Sequence, residues 1–434
     1  MSDPAVPIAL GMPGTFDATT LLLGGLLMVG ALVSGLARRS FLSLAALYVL
    51  AGFVAGDGVT GLLDLSPTSP FVNELAIVAL IVILFRDGLE VDGEMLQSSW
   101  HLPLRKLVLA MPLTATLVAL VAKALVDLTW TEAFLLGALL SPTDPVLSSS
   151  VVTNPRVPRV VRNSLNLESG LNDGLALPAV LAFTFALDGT RDFVWWRFVL
   201  QDVGIGLASG LVVAWVASKL MPRDALERGI PPHQKALYSL GTAFAAYGVA
   251  VLPPEGNGLI SVFVAAIALG LWRPDLRATF ESRAADIVEI VKLGIFVVFG
   301  ALLTFDGLFA DGWAAVGIAL FTLFVARPVA VFTALAGTGL DRAVKGFMAW
   351  FGPKGVATMA FSILVLTRLG SEGSQLFNLA ALVVFASIIL HGLTDTPGSE
   401  WLARREERLS REVRPAPGQS GTPTPPAYDA PGGR

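Results

Sequence analysis

The sequence predicts an all-α polytopic membrane protein of about 13 transmembrane helices, built as two inverted-topology six-helix repeats with two broken crossing helices. The first observation behind this is compositional. Of 434 residues, 54% are hydrophobic and 15% charged, with a mean hydropathy of +0.69, whereas a soluble chain carries about 25% charged residues. The second is the loop charge. If every apolar run crosses, 23 Lys and Arg residues fall on one side and only Arg191, Arg197 and Arg368 on the other, the asymmetry that marks a cytoplasmic face. The third is a pair of helix-breaking motifs, Ser141-Pro142-Thr143-Asp144-Pro145 and Gly352-Pro353-Lys354-Gly355, seven spans apart and so oppositely directed. Interrupted spans at corresponding places in two halves point to a secondary transporter with a midplane site.

Residues 1–19 form an extracytoplasmic N-terminal segment without Lys or Arg; the first apolar run is therefore expected to be a retained span and not a cleaved leader. Apolar runs begin near Thr20, Phe41, Asn73, Leu107, Ala133 and Leu165, giving the first repeat at 20–187. A linker helix follows at 198–220. Runs near Leu237, Gly258, Ile287, Trp313, Phe347 and Leu376 give the second repeat at 237–395. The runs at Phe41–Ala55 and Gly258–Trp272 are short, and the loop charges decide that they cross. Residues 396–434 are expected to be a cytoplasmic tail, first a charged surface helix, WLARREERLSREVR, then a disordered Pro- and Gly-rich end.

Several chemistries are excluded. There is no cysteine, hence no disulfide or thiolate site. His101, His233 and His391 are scattered without metal-ligand spacing, and His391 reads as an interfacial packing residue. No glycine-rich phosphate loop appears. Membrane lipid is the expected partner, with no nucleic acid and no nucleotide-binding domain. The expected localisation is the cell (inner) membrane, with the N-terminus outside and the C-terminus cytoplasmic.

Within the spans a few polar residues need an explanation, because an ionisable group at bilayer depth costs about 2.5 to 3.5 kcal/mol on insertion scales and normally faces a bundle interior. Glu168, Ser169, Asn172 and Asp173 recur at i, i+1, i+4 and i+5 in the sixth span, on one helical face. In the fifth span, two prolines break the helix at 141–146, and Asp144 before Pro145 reads as an N-cap restarting a half-helix. Its charge suits the positive ends of helix dipoles, and Lys354 in the break at 352–355 suits the negative ends. Arg327 and Lys354 lie too deep to snorkel and require buried partners. Lys123 is read as snorkelling, Lys292 as a helical ion pair with Glu289, and Arg86-Asp87 as an interfacial ion pair.

Thr143-Asp144-Pro145, Glu168-Ser169-Gly170-Leu171-Asn172-Asp173-Gly174, Arg327-Pro328 and Gly352-Pro353-Lys354-Gly355 together make the sequence resemble bacterial sodium/proton exchangers of the monovalent cation:proton antiporter-1 family, the NhaP-like branch. The resemblance implies that Asp173 alternately binds cation and proton, with sodium held at Asp173, Ser169 and Thr143. It implies that Asn172 and Glu168 stabilise the crossing, with Arg327 or Lys354 as the basic partner of Glu168. It also implies a homodimer and, from Asn172 before Asp173, electroneutral one-for-one exchange. Lys354 stands where many relatives carry arginine, and lysine can lose its proton when buried. The transported sodium ion and proton are the only ligands expected, and no cofactor. Potassium is the alternative cation. A cation channel and an intramembrane aspartyl protease on Asp144 and Asp173 are the alternatives of another class; the protease lacks its GxGD motif.

Overall fold

The computed structural model describes residues 24–25, 28, 44–91, 100–144, 151, 154–189, 193–224 and 229–412. Most of the first expected span lies outside these residues. The main helices among the described residues are α1 (Leu44–Ala55), α2 (Pro70–Leu89), α3 (His101–Leu125), α4 (Trp130–Leu139), α5 (Arg159–Leu187), α6 (Trp195–Leu220) and α7 (Pro232–Ala250). After them come α8 (Gly258–Trp272), α9 (Pro274–Arg283), α10 (Ala285–Ala301), α11 (Gly312–Ala334), α12 (Arg342–Trp350), α13 (Val356–Leu369) and α14 (Ser371–Glu412). No strand occurs among the described residues.

Five helices, α3, α5, α6, α11 and the greater part of α14, are each long and apolar enough to cross a membrane, and a sixth crossing arises if α8 and α9, bent by 114°, act as one. The protein is thus an integral membrane protein with several helical spans. Other apolar helices are short: α1 has 12 residues, about 18 Å at 1.5 Å per residue, against a hydrocarbon core of about 30 Å.

Local chemistry sets the helix limits. Ser69 accepts from the Val72 amide, Thr129 and Glu132 form a capping box, and Asn257 accepts from the Leu259 and Ile260 amides. Inside α3 and α11 the helix widens into π turns at Lys106–Ala110 and Thr322–Ala326. Both are followed at once by an X-Pro pair, Met111-Pro112 and Arg327-Pro328. A proline has no amide hydrogen and its ring presses on the carbonyl four residues back, and the wider turn relieves that conflict.

Packing is close where glycines remove side chains. Backbone carbonyls of Val297 and Ala301 on α10 occupy the space a Cβ would need at Gly52 of α1 or at Gly56 just after it, and Gly300 admits Val49 O in return. In lipid, where no hydrophobic drive separates helix from solvent, such backbone approach is a main source of association. The largest buried cluster runs through α1, α2, α4, α8, α10 and α13. A second joins the start of α5, the end of α11, α12 and Leu402 of α14.

Two expectations are corrected. The sixth-span helix begins at Arg159, not near Leu165. The charged tail is not a separate surface helix: α14 continues unbroken through Pro397 to Glu412, and Leu402 and Ala403 are fully buried. The disordered end expected beyond it lies outside the described residues.

Candidate functional site: a crossing of two broken helices beside buried carboxylates

The two interrupted segments meet. After α4 ends at Leu139 the chain leaves the helix through residues 140–144, and α12 and α13 are separated by non-helical residues 351–355. The Asp144 amide donates to Pro353 O at 2.8 Å, joining one break to the other. Lys354 Nζ donates to Pro142 O at 3.3 Å, just past the C-terminal end of α4. The Asp144 carboxyl lies against Gly355, immediately before α13, where a Cβ would overlap it. An anion therefore sits at the positive end of one half-helix and a cation beyond the negative end of the other. The helix expected to restart after Asp144 lies outside the described residues, apart from Val151.

Helix α5 packs against this crossing through its polar face. Asn172 Nδ2 donates to Thr143 O at 2.6 Å and to Thr143 Oγ1 at 3.1 Å. The glycines of this stretch let α5 approach its neighbours: Gly170 faces Asp87 O of α2, and Gly174 lies under the ring of Phe263 on α8. Glu168, Ser169, Asn172 and Asp173 are all buried.

Glu168 has two basic partners. Lys106 Nζ lies 2.5 Å from Oε2, and Arg327 Nη1 and Nη2 each lie 3.4 Å from Oε1. Lys354 is not one of them, which corrects that alternative: its side chain is engaged at the Pro142 carbonyl. Lys106 counted as a loop cation in the sequence, yet it is fully buried. The two cations reach Glu168 from the edges of the two π turns, Lys106 opening one and Arg327 following the other. Gly352 lets the Arg327 guanidinium lie on the backbone of the second break. Glu168 is consequently fixed in an ion-paired triad, and between the triad and Asn172 there is a cavity of about 10 Å³, room for about one water.

Asp173 has different surroundings. Its carboxyl lies within hydrogen-bonding reach of Asp87 on α2, and Asp144 and Arg86 act on it electrostatically. Asp87 is 3% exposed and pairs with Arg86 at 3.3 Å, while Arg86 also holds Glu90 at 2.8 Å. The interfacial reading of Arg86-Asp87 is thus corrected: Asp87 is buried beside Asp173, and its partner Arg86 is partly exposed. Lys292, expected to pair with Glu289, is buried within electrostatic reach of Arg86, Asp87 and Asp144 as well. Among the described residues no three His, Asp or Glu side chains are arranged to hold a metal ion; a cation here would need hydroxyl and carbonyl oxygens such as those of Thr143 and Ser169. Lys123 Nζ ends on Leu128 O at 2.5 Å, close to its own helix terminus.

An all-helical membrane protein in which two interrupted helices cross beside buried carboxyl groups has the architecture of an ion-coupled membrane carrier. The chain belongs to the transmembrane sodium/hydrogen exchanger family, whose match covers residues 25–401. It is 24% identical over 396 residues to the K(+)/H(+) antiporter NhaP of Alkalimonas amylolytica, covering 89% of this chain and 67% of that protein. It is 27% identical over 386 residues to the K(+)/H(+) antiporter NhaP2 of Shewanella baltica (strain OS223), covering 86% and 65%. The chain therefore spans about two thirds of the length of these relatives. In fold it is similar to the sodium proton antiporter MjNhaP1 of Methanocaldococcus jannaschii, with a TM-score of 0.73 and 20% identity over 90% of this chain and 99% of that one.

Proposed function

We propose that this protein is a secondary transporter, not an enzyme, that exchanges sodium or lithium for protons by alternating access, with Asp173 as the carboxylate that trades one for the other. The observation carrying this reading is the contrast between its two α5 acids: Glu168 is held by Lys106 and Arg327, whereas Asp173 shares its site with another carboxyl, Asp87. A paired acid has no freedom to exchange charge. Two adjacent buried carboxyls cannot both stay ionised without a counter-ion, so a proton and a cation compete for the site. With Arg86 already paired to Asp87 and Glu90, an unloaded, ionised Asp173 would add a buried negative charge during the conformational change, which disfavours slip. Ser169 and Thr143 would supply further oxygen ligands, and Asp87 a second carboxylate.

A second reading, potassium for protons, has support of its own in the names of the two bacterial relatives. The architecture proposed with the function is thirteen crossings in two inverted repeats, 20–187 and 237–395, with the paired breaks of α4 and of α12/α13 at corresponding places. We further propose a homodimer in the cell's inner membrane, C-terminus cytoplasmic, and one-for-one stoichiometry from Asn172.

The test is proton flux in proteoliposomes with sodium, lithium or potassium supplied in turn, with and without a membrane potential. Saturable exchange with sodium or lithium, insensitive to potential, is expected. Exchange with potassium alone replaces the first reading by the second. Conductance without coupled proton movement would sink both.

A further inference from the structure

His391 of α14 is 2% exposed and has both ring nitrogens engaged. Nε2 lies 2.8 Å from Trp350 O, the carbonyl that ends α12. Nδ1 lies 2.7 Å from Ser387 O and 3.2 Å from Ser387 Oγ, one turn back on α14. The Ser387 hydroxyl in turn accepts the Lys354 backbone amide at 2.9 Å. The Trp350 indole stacks on the imidazole at 4.9 Å and 21°, and its Nε1–H donates to Thr394 Oγ1 at 2.8 Å. One turn of α14 therefore grips the non-helical segment 351–355 at both ends. The last carbonyls of a helix have no intrahelical donor, and the non-helical peptides after them have none either. Trp350 O and Ser387 O are both acceptors, so a neutral ring donates to only one: the tautomer protonated at Nε2 holds Trp350 O and can accept the Ser387 hydroxyl at Nδ1, and the imidazolium holds both carbonyls.

We propose that His391 is a positioning residue for the ion site: with Ser387 it fixes the second helix break, and through that break the contacts Lys354 Nζ to Pro142 O and Pro353 O to Asp144 N. This rests on the proposed exchange function. The same break also carries Gly352 against Arg327 and Gly355 against Asp144, so a shift of residues 351–355 would be felt on both sides of Asn172 and Thr143. His391 touches neither Asp173 nor a transported ion, and its effect would pass through the backbone it holds.

The experiment compares His391→Phe with His391→Gln. Phenylalanine keeps the stack on Trp350 and removes both polar contacts, while glutamine keeps a donor near the Nε2 position. An unsatisfied buried carbonyl is worth about a tenfold change in an equilibrium. We expect His391→Phe to melt close to wild type, to raise the cation KM by about tenfold with the maximal rate changed less than about threefold, and to speed amide hydrogen exchange across 351–356. His391→Gln should restore most of the KM. An unchanged KM and unchanged hydrogen exchange in folded His391→Phe would overturn the proposal, as would a glutamine variant as impaired as phenylalanine. Wild-type liposomes without cation-driven proton flux would instead overturn the exchange function, and with it the role in transport, while the hydrogen-exchange arm still reports whether the grip exists.

Discussion

The assignment of roles turns on which charges are satisfied. Removing one partner of a buried ion pair costs about 3 to 5 kcal/mol, because the other charge is left unpaired. Glu168→Gln, which leaves Lys106 and Arg327 both without an anion, should therefore destabilise strongly in a detergent melt, and Glu168→Gln with Lys106→Met, which strands one cation instead of two, should recover part of the loss. If the single and double variants melt alike, the triad is not a unit. Asn172→Leu removes both donors to Thr143 and strands two buried acceptors, for a loss of about 2 kcal/mol; Asn172→Asp, which keeps the shape but cannot donate when ionised, should fail similarly. The sequence made the polar face of 168–173 and the depth of Arg327 legible, since both interrupt apolar runs. It hid Lys106 and Asp87. Lys106 follows Arg105 and passes for a loop charge, and Asp87 sits between Arg86 and Glu90 at a helix end, where a solvated ion pair is the ordinary reading. Only the close approach of α2 to α5 at Gly170 brings Asp87 to Asp173.

For the elements, the breaks matter more than the helices they interrupt. Gly355→Ala would place a methyl on Asp144 Cβ, which cannot swing away without moving the first break; we expect lost exchange and a lower melting temperature. Gly352→Ala meets the tip of Arg327 instead, a flexible group that can retreat. That variant should fold but loosen the Arg327–Glu168 contact, and a cation KM measurement on the pair of variants separates the two effects. Pro-x-x-Pro and Gly-Pro-Lys-Gly announced both breaks in the sequence. The π turns before Pro112 and Pro328 are marked in the sequence only by the proline that causes each. Nor can a sequence show that the two breaks exchange a backbone hydrogen bond across more than two hundred residues.

Over the whole molecule, α14 links what the other helices keep apart. Its 42 residues, about 63 Å of helix, run well beyond a hydrocarbon core of about 30 Å. Leu402 is buried with the start of α5 and the end of α11 and Ala403 is buried as well, Arg405 pairs with Asp341 at the entry to α12, and Arg156 with Glu407 at 2.8 Å. Leu402→Asp should accordingly destabilise by several kcal/mol, about the scale of an unpaired buried charge. Arg156→Ala, whose pair is half exposed, should change stability by less than about 1 kcal/mol and less still in high salt. Charge density in 401–414 suggested a solvated helix because the pattern cannot reveal that the second hydrophobic cluster needs a cover. The central claim, that one buried acid exchanges a proton for a cation, is tested most directly by proton release from the purified protein in weak buffer. Adding sodium or potassium should release about one proton per chain from the wild type and none from folded Asp173→Asn; release that survives in Asp173→Asn, or saturable cation binding to the wild type without release, would contradict it.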